Sequence, residues 1–483
     1  MALLYRFTRI NDRCNTGIFT FIVTRSVTRD QHRDVTTKDF TYNYHKWAVT
    51  FTRTDKLMGV FLILRTLSPG SKCLVDFTFT LLNREHFSKN ENFSEKQKKF
   101  TVDQAVHGNN KWVTMSDLVA RRFTDENGEF LIELTLGNVI STFETDIRVS
   151  HLPFSSRSNN LESSYFTFGG YEWNVTIQTK KDDPEFGNRP RVLLNRLTGF
   201  DHPCRVQYQM VLGEGERRMD SGLVDQISDV NGQIRGFGLR CQLNDLIRRG
   251  HLRLHVIMIC ANTVSEAMVP TRSVEPATTA NCYDREKQGW CVDVDMEGEF
   301  LKLKLFCSDL HLVPRSHLRY VSWNAYVMRR HANSATMDSI LVICAPHWSY
   351  YVQDGMDMGI IMETDIPIKD IKESSNLYLE SNGNLTVHIE WLESILLFNS
   401  SYHKYDDIFH LHCHQMKREI SALQAENYYL ERQLFSYQKS ISLANSRGQA
   451  SEELTNEYYP EGHQPYYDRS LSEGQSFSET EYA

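Results

Sequence analysis

The chain has 483 residues, enough for about three domains of roughly 150 residues each, and 41% hydrophobic content with 11% aromatic supports filled cores rather than disorder. A net charge of −8 and a pI near 6.1 exclude an extended nucleic-acid footprint. The arginines at positions 6 and 9 interrupt any secretory leader, and the longest early apolar run, Gly17–Val23, is far short of the ~20 residues that span a bilayer.

Residues 1–36 read as a mildly basic lead-in with one strand over 17–24, either paired with the strands after it or loose. Then comes Trp47-Ala-Val-Thr-Phe51, a tryptophan with apolar residues two and four positions later, which is the alternation of a half-buried strand. The pattern recurs in Trp173-Asn-Val-Thr-Ile177 and Trp290-Cys-Val-Asp-Val294. Downstream of each lies a glycine turn and another alternating strand: Gly128–Leu136, Gly250–Met258 and Gly383–Trp391. Just before each glycine stands a similar short segment: Met115–Val119, Leu243–Ile247 and Ile368–Ile371. A long-period rhyme of this kind indicates one β-rich unit written three times.

The first copy, 37–150, holds strands over 44–52, 59–67, 74–82, 99–102 and 129–136. Alternation in Val75–Leu81 buries one face and turns Asp76, Thr78 and Thr80 outward. The polar run Arg84–Lys99 reads as a long solvated loop. After a polar linker, Ser155–Ser164, the second copy (160–270) has strands over 171–179, 191–195, 205–212 and 251–259; Gly213-Glu-Gly-Glu is a turn, and Asn231–Gly238 a loop or bulged strand. Pro270–Asn281 is a second linker. The third copy (281–398) is the most divergent, with strands over 290–294, 300–306, 318–328, 340–345 and 377–391.

From Phe409 the period changes to 3.5. Cys413, Met416, Ile420, Leu423, Asn427, Leu430, Leu434, Tyr437 and Ile441 follow in alternating steps of three and four, the a and d positions of a coiled coil over 404–443. Asn427 at an a position is best satisfied across a parallel two-stranded axis, so the seam (Met416, Ile420, Leu423, Asn427, Leu430, Leu434, Tyr437) predicts a parallel homodimer. Residues 444–483 carry eight acids against two arginines and read as a disordered acidic tail, with Tyr458-Tyr459, Tyr466-Tyr467 and Ser476–Glu481 as phosphorylation candidates.

Chemistry is sparse. There is no nucleotide loop, nucleophile elbow or His-Glu-x-x-His, and the sequence calls for no cofactor. His410 and His414 share a helical face, with His403 upstream, but a zinc site needs convergent ligands, usually four; the run reads as the polar start of the helix. Ten cysteines lie scattered without a CxxC pair, several in strand alternation, as expected of buried thiols in a reducing, cytoplasmic setting. The Asn-x-Ser/Thr triplets at Asn92, Asn174, Asn384 and Asn399 are then inert.

Each copy resembles the MATH (meprin and TRAF homology) domain. The likeness rests on Phe40–Val49, Val75–Asn83 and Lys111–Leu118 in the first copy, on Tyr165–Val175 and Gly236–Leu246 in the second, and loosely on the third. It implies three antiparallel β-sandwiches that recognise short extended peptides of partner proteins in a shallow groove, hence a non-enzymatic adaptor. By position, the groove aromatics would be Phe79, Phe100 and Trp112, with Thr114 in place of a phenylalanine, and Phe237 in the second copy. Two alternatives stand beside this: a scaffold that spaces partners in a cytoskeletal or junctional assembly without groove binding, and a substrate-recruiting subunit of a ubiquitin ligase or deubiquitinase.

Overall fold

The computed structural model describes residues 2–29, 34–54, 56–149, 160–178, 190–228, 236–271, 280–330, 337–341, 346–355, 358–399 and 405–449. The chain is mainly β, in several antiparallel sheets of which none closes on itself.

Three long strands form the spine: Phe130–Arg148, His251–Pro270 and Asn384–Phe398. They lie side by side in a twelve-stranded sheet, in the order Ala2–Ile10, Thr16–Val23, the three long strands, His317–Arg330, Met337–Leu341. Branches pair alongside: Ser71–Leu81 with Glu91–Phe100, Cys204–Leu212 with Met219–Ser228, and His347–Tyr351. Each long strand is interrupted by a register shift in its pairing, between Gly137 and Ile140, at Ile259, and at Leu392. Such a bulge inserts one residue and re-aims the side chains beyond it.

Beyond its bulge each of the first two long strands takes on a new neighbour, while the third stays paired with His317–Arg330. Ser141–Arg148 pairs with His251–Met258, and Thr263–Pro270 pairs with Asn384–Trp391. Phe130, Ile132, Leu134 and Leu136 thus fill a first apolar core, while Phe143 and Ile147 fill a second. Leu252, Leu254, Val256 and Met258 join the second; Ala267 and Val269 join a third. Leu385, Val387, Ile389 and Trp391 complete the third, and Ile395 and Leu397 return to the first.

Three smaller sheets cover these cores. They are built on His45–Thr54 with Leu57–Leu64 and Val106–Thr114, on Tyr171–Gln178 with Arg191–Arg196, and on Gly289–Asp295 with Phe300–Cys307 and Ile360–Pro367. Trp47, Trp173 and Trp290 are fully buried, one per core. A buried indole N–H needs an acceptor. Trp47 donates to the Tyr42 carbonyl at 3.1 Å and Trp173 to the Phe168 carbonyl at 3.0 Å, whereas Trp290 donates to the Asp284 carboxylate at 3.0 Å. Two residues past each tryptophan, the backbone N–H of Val49, Val175 and Val292 donates to Thr37 Oγ1, Ser163 Oγ and Asn281 Oδ1. The turns ahead of the tryptophans visit positive φ at Asn43 and Tyr44, at Gly169 and Gly170, and at Lys287.

Several expectations change. The lead-in is a hairpin, Ala2–Ile10 with Thr16–Val23, whose Phe7, Phe19, Phe21 and Val23 belong to the first core. Arg84–Lys99 is not a loop: Phe87–Lys89 is a 3-10 turn and Glu91–Phe100 a strand. Edge strands tolerate charge on their open side, so a strand paired only with Ser71–Leu81 can read as loop. The same holds for Met219–Ser228, Val106–Thr114 and Ile360–Pro367. The strand predicted over 377–391 starts at Asn384, after short helices at Ile368–Glu373 and Ser375–Tyr378. The segments ahead of the three glycines are short helices, Met115–Ala120, Leu243–Leu246 and Ile368–Glu373; Thr114 caps the first by accepting from the Asp117 N–H. Most of the two predicted linkers, part of the 231–238 and 340–345 segments, His403 and the tail from 450 onward lie outside the described residues.

Residues 1–412 form one compact unit, and 413–483 a second. In the third core Asp284 accepts from Trp290 and from Arg319, at 3.2 Å, with both ionic side chains buried. Arg319 keeps Glu286 at 2.6 Å and Ser394 at 2.9 Å when Asp284 is removed. Asp284→Ala therefore orphans the buried Trp290 indole alone, and chemical denaturation should register a loss of about 1–3 kcal/mol; Asp284→Asn, which keeps an acceptor, should lose less.

Candidate functional site

Phe79 and Phe100, two of the aromatics assigned to a peptide groove, are fully buried. Phe79 sits in register between Leu134 and Phe93, and Phe100 meets Trp47 edge-on at 5.5 Å. The alternation of Val75–Leu81 does bury one face, but that face is the first core, not a groove. Trp112 is half-buried on the edge strand Val106–Thr114, its ring 6.3 Å from Phe79. Its indole N–H is buried and meets no hydrogen-bond acceptor among the described residues. Phe237, half-buried, pairs with Val192 and packs against the second core, so it is not brought near the other three.

Around Trp112 the first small sheet ends in Val106–Thr114 and the large sheet ends in Glu91–Phe100; each has a ladder partner on one side only among the described residues. Lys96, Lys99 and Lys111 are exposed along these two edges. The result is a basic, open-edged margin with one partly accessible tryptophan.

A polar junction on the outer face of the large sheet is the other concentration of functional groups. Glu390, nearly fully buried, accepts from Asn262 at 2.6 Å, Tyr326 at 2.5 Å, Asn324 at 3.2 Å and Arg205 at 3.4 Å. Arg205 also grips Asp225 through two hydrogen bonds, at 3.1 and 2.8 Å. The Asp225 contact raises the guanidinium's pKa, and burial raises that of the Tyr326 phenol. A cavity of about 190 Å³ opens beside them, lined also by Ile227, Val264 and His388. Both carboxylates are engaged by donors, so the arrangement locks neighbouring strands together and offers no free general base. Burial pushes the thiols of Cys73, Cys204, Cys260 and Cys282 up to about 12, which keeps them protonated and un-nucleophilic at neutral pH.

The C-terminal helix spans Asp406–Gln449. Its root is seated on the first unit: Tyr405 and Ile408 are buried with Ile22, Leu82 and Leu131. Tyr5 donates to Asp406 and Tyr405 to Glu129, both at 2.5 Å, and Arg6 lies over the Phe409 ring at 5.0 Å. The histidine the zinc reading passed over, His412, is the buried one, with Nε2 2.7 Å from the Asn83 carbonyl. His410 and His414 are exposed, and no group of three or more His, Cys, Asp or Glu side chains among the described residues is placed to hold a metal. Further along, Met416, Ile420, Leu423, Leu430, Leu434 and Tyr437 are all exposed, from 39% at Met416 to 65% at Tyr437, and Asn427 is exposed among them. No helix of the described chain is long and apolar enough to cross a membrane.

No protein-family model matches this sequence, and no curated protein is significantly similar to it.

Two outcomes are expected. Phe79→Ala empties a sealed position and should cost about 3–5 kcal/mol of stability, read by denaturant titration. Burial lowers the pKa of His412, so the seated root holds it neutral. Its contribution to seating is then present above the ordinary value near 6.5 and is lost as pH falls from there through the lowered value. The protection of amides 405–412, taken relative to the intrinsic exchange rate at each pH, should therefore fall on acidification from pH 7.5 to about 5.5, and His412→Gln should abolish that fall.

Proposed function

We propose that the protein is a non-enzymatic adaptor. In this reading the unit spanning 1–412 is three MATH-like β-sandwiches fused through their long strands, and the helix pairs with a second copy to present two such units together. One observation carries the proposal: a helix of which 413–441 keeps a heptad seam of apolar residues exposed around one polar a position. An isolated helix gains little from exposed leucines; burying them against a parallel twin satisfies both the leucines and Asn427. Linking two weak docking sites this way raises avidity by about 10²–10⁴ without tightening either contact.

Peptide docking, where it occurs, falls to the margin around Trp112 rather than to Phe79 or Phe100. Open ladder groups on the two edge strands offer backbone pairing to an extended segment, and the exposed lysines favour acidic ones. The burial of Phe79 and Phe100 favours the second reading, a scaffold that spaces partners without using a groove. Trp112→Ala separates the two: an adaptor loses its partners from pull-downs with the fold intact, and a scaffold keeps them.

The seam has its own test. Size-exclusion chromatography with light scattering on the full chain should give twice the monomer mass, and Leu423→Asp with Leu430→Asp should return it to one. A monomeric parent protein would overturn the proposal.

A further inference from the structure

With Asn427 at an a position and Leu430 at d, the flanks of the seam are also assigned. Glu419, Glu426 and Gln433 occupy g positions; Lys417, Gln424, Glu431 and Gln438 occupy e positions. In a parallel, in-register pair each g side chain faces the e side chain of the partner's next heptad, and these contacts set partner choice. Paired with itself, the chain sets Glu419 against Gln424 and Gln433 against Gln438, both without net attraction. It sets Glu426 against Glu431 on each side of the Asn427 layer, carboxylate against carboxylate. Lys417 would face His412, which is already seated on the Asn83 carbonyl. Glu426 and Glu431 are exposed, and no cation stands three or four residues from either on the helix, so neither has an ion-pair partner there among the described residues. The neighbouring cations, Arg418, Arg432 and Lys439, occupy f positions on the far side of the helix from the seam.

A self-pair therefore contains no attractive flank contact and two repulsive ones. We propose that the seam prefers a different helix over a second copy: a parallel coiled-coil partner carrying lysine or arginine at the e and g positions that meet Glu426 and Glu431, with a polar residue opposite Asn427. This rests on the parallel seam proposed above. Under it, the self-pair is the weaker, exchangeable state and the mixed pair the preferred one.

The chain itself supplies the probe. A full-length E426K/E431K variant repels its own kind in the same way, but against the parent chain it converts every like-charge contact into an opposite-charge one. Reversing two contacts on this scale should favour the mixed pair over either self-pair by roughly tenfold. Differently tagged parent and variant are mixed and read by native mass spectrometry. Enrichment of the mixed pair above a statistical mixture, together with tighter self-association of E426Q/E431Q than of the parent, is the expected result. A statistical mixture, with E426Q/E431Q no tighter than the parent, would overturn charge selection while leaving the seam in place. If parent, variant and mixture all stay monomeric, the seam itself falls, and this inference with it.

Discussion

The structure depends on strands that are too long for one core. Phe130–Arg148, His251–Pro270 and Asn384–Phe398 each leave one apolar cluster at a bulge and enter another. Backbone hydrogen bonds are obligatory when buried, so the ladder cannot simply stop between cores. It passes on, from the first long strand to the second and from the second to the third. The third then sends Ile395 and Leu397 back to the first core, where Tyr320 packs edge-on against Phe7. That last contact has no ladder between the Ala2–Ile10 and Asn384–Phe398 strands; the ion pair of Arg9 with the deeply buried Glu393, at 2.8 Å, lies across it.

The junctions between cores are accordingly polar. The Asn384–Phe398 strand brings two buried carboxylates, Glu390 facing Arg205 and Glu393 facing Arg9. Buried ion pairs contribute little net stability against apolar replacements, but they are costly to break singly, which makes them suited to fixing which strand lies beside which. These junctions all lie within the one compact unit that ends at residue 412.

Much of the fold was legible where period alone decides. The three Trp-x-Val strands, the three final glycine-led strands and the heptads each repeat a spacing that physics ties to one conformation. The continuation of the long strands was not legible, because a bulge breaks the alternation that would announce it: Gly137-Asn138-Val139 reads as a turn. Glu91–Phe100 was missed for a different reason, since an edge strand needs only one buried face and its charges resemble a loop. The helix Asp406–Gln449 followed from the heptads, and its a and d side chains from Met416 to Ile441 are exposed. The placing of Phe79 and Phe100 was not legible, because alternation says that a side is buried without saying whether a core or a ligand buries it. Trp112 is half-buried on an edge strand, and its unpaired indole and open edge were invisible to spacing.

If the long strands couple the cores, no core can be lost alone. Hydrogen-exchange mass spectrometry on the full chain at rising denaturant reads this directly, through the amides of the strands around Trp47, Trp173 and Trp290. The account predicts that all three sets, and the three long strands with them, lose protection together in one transition. Loss of protection around one tryptophan while the other two stay closed would contradict it.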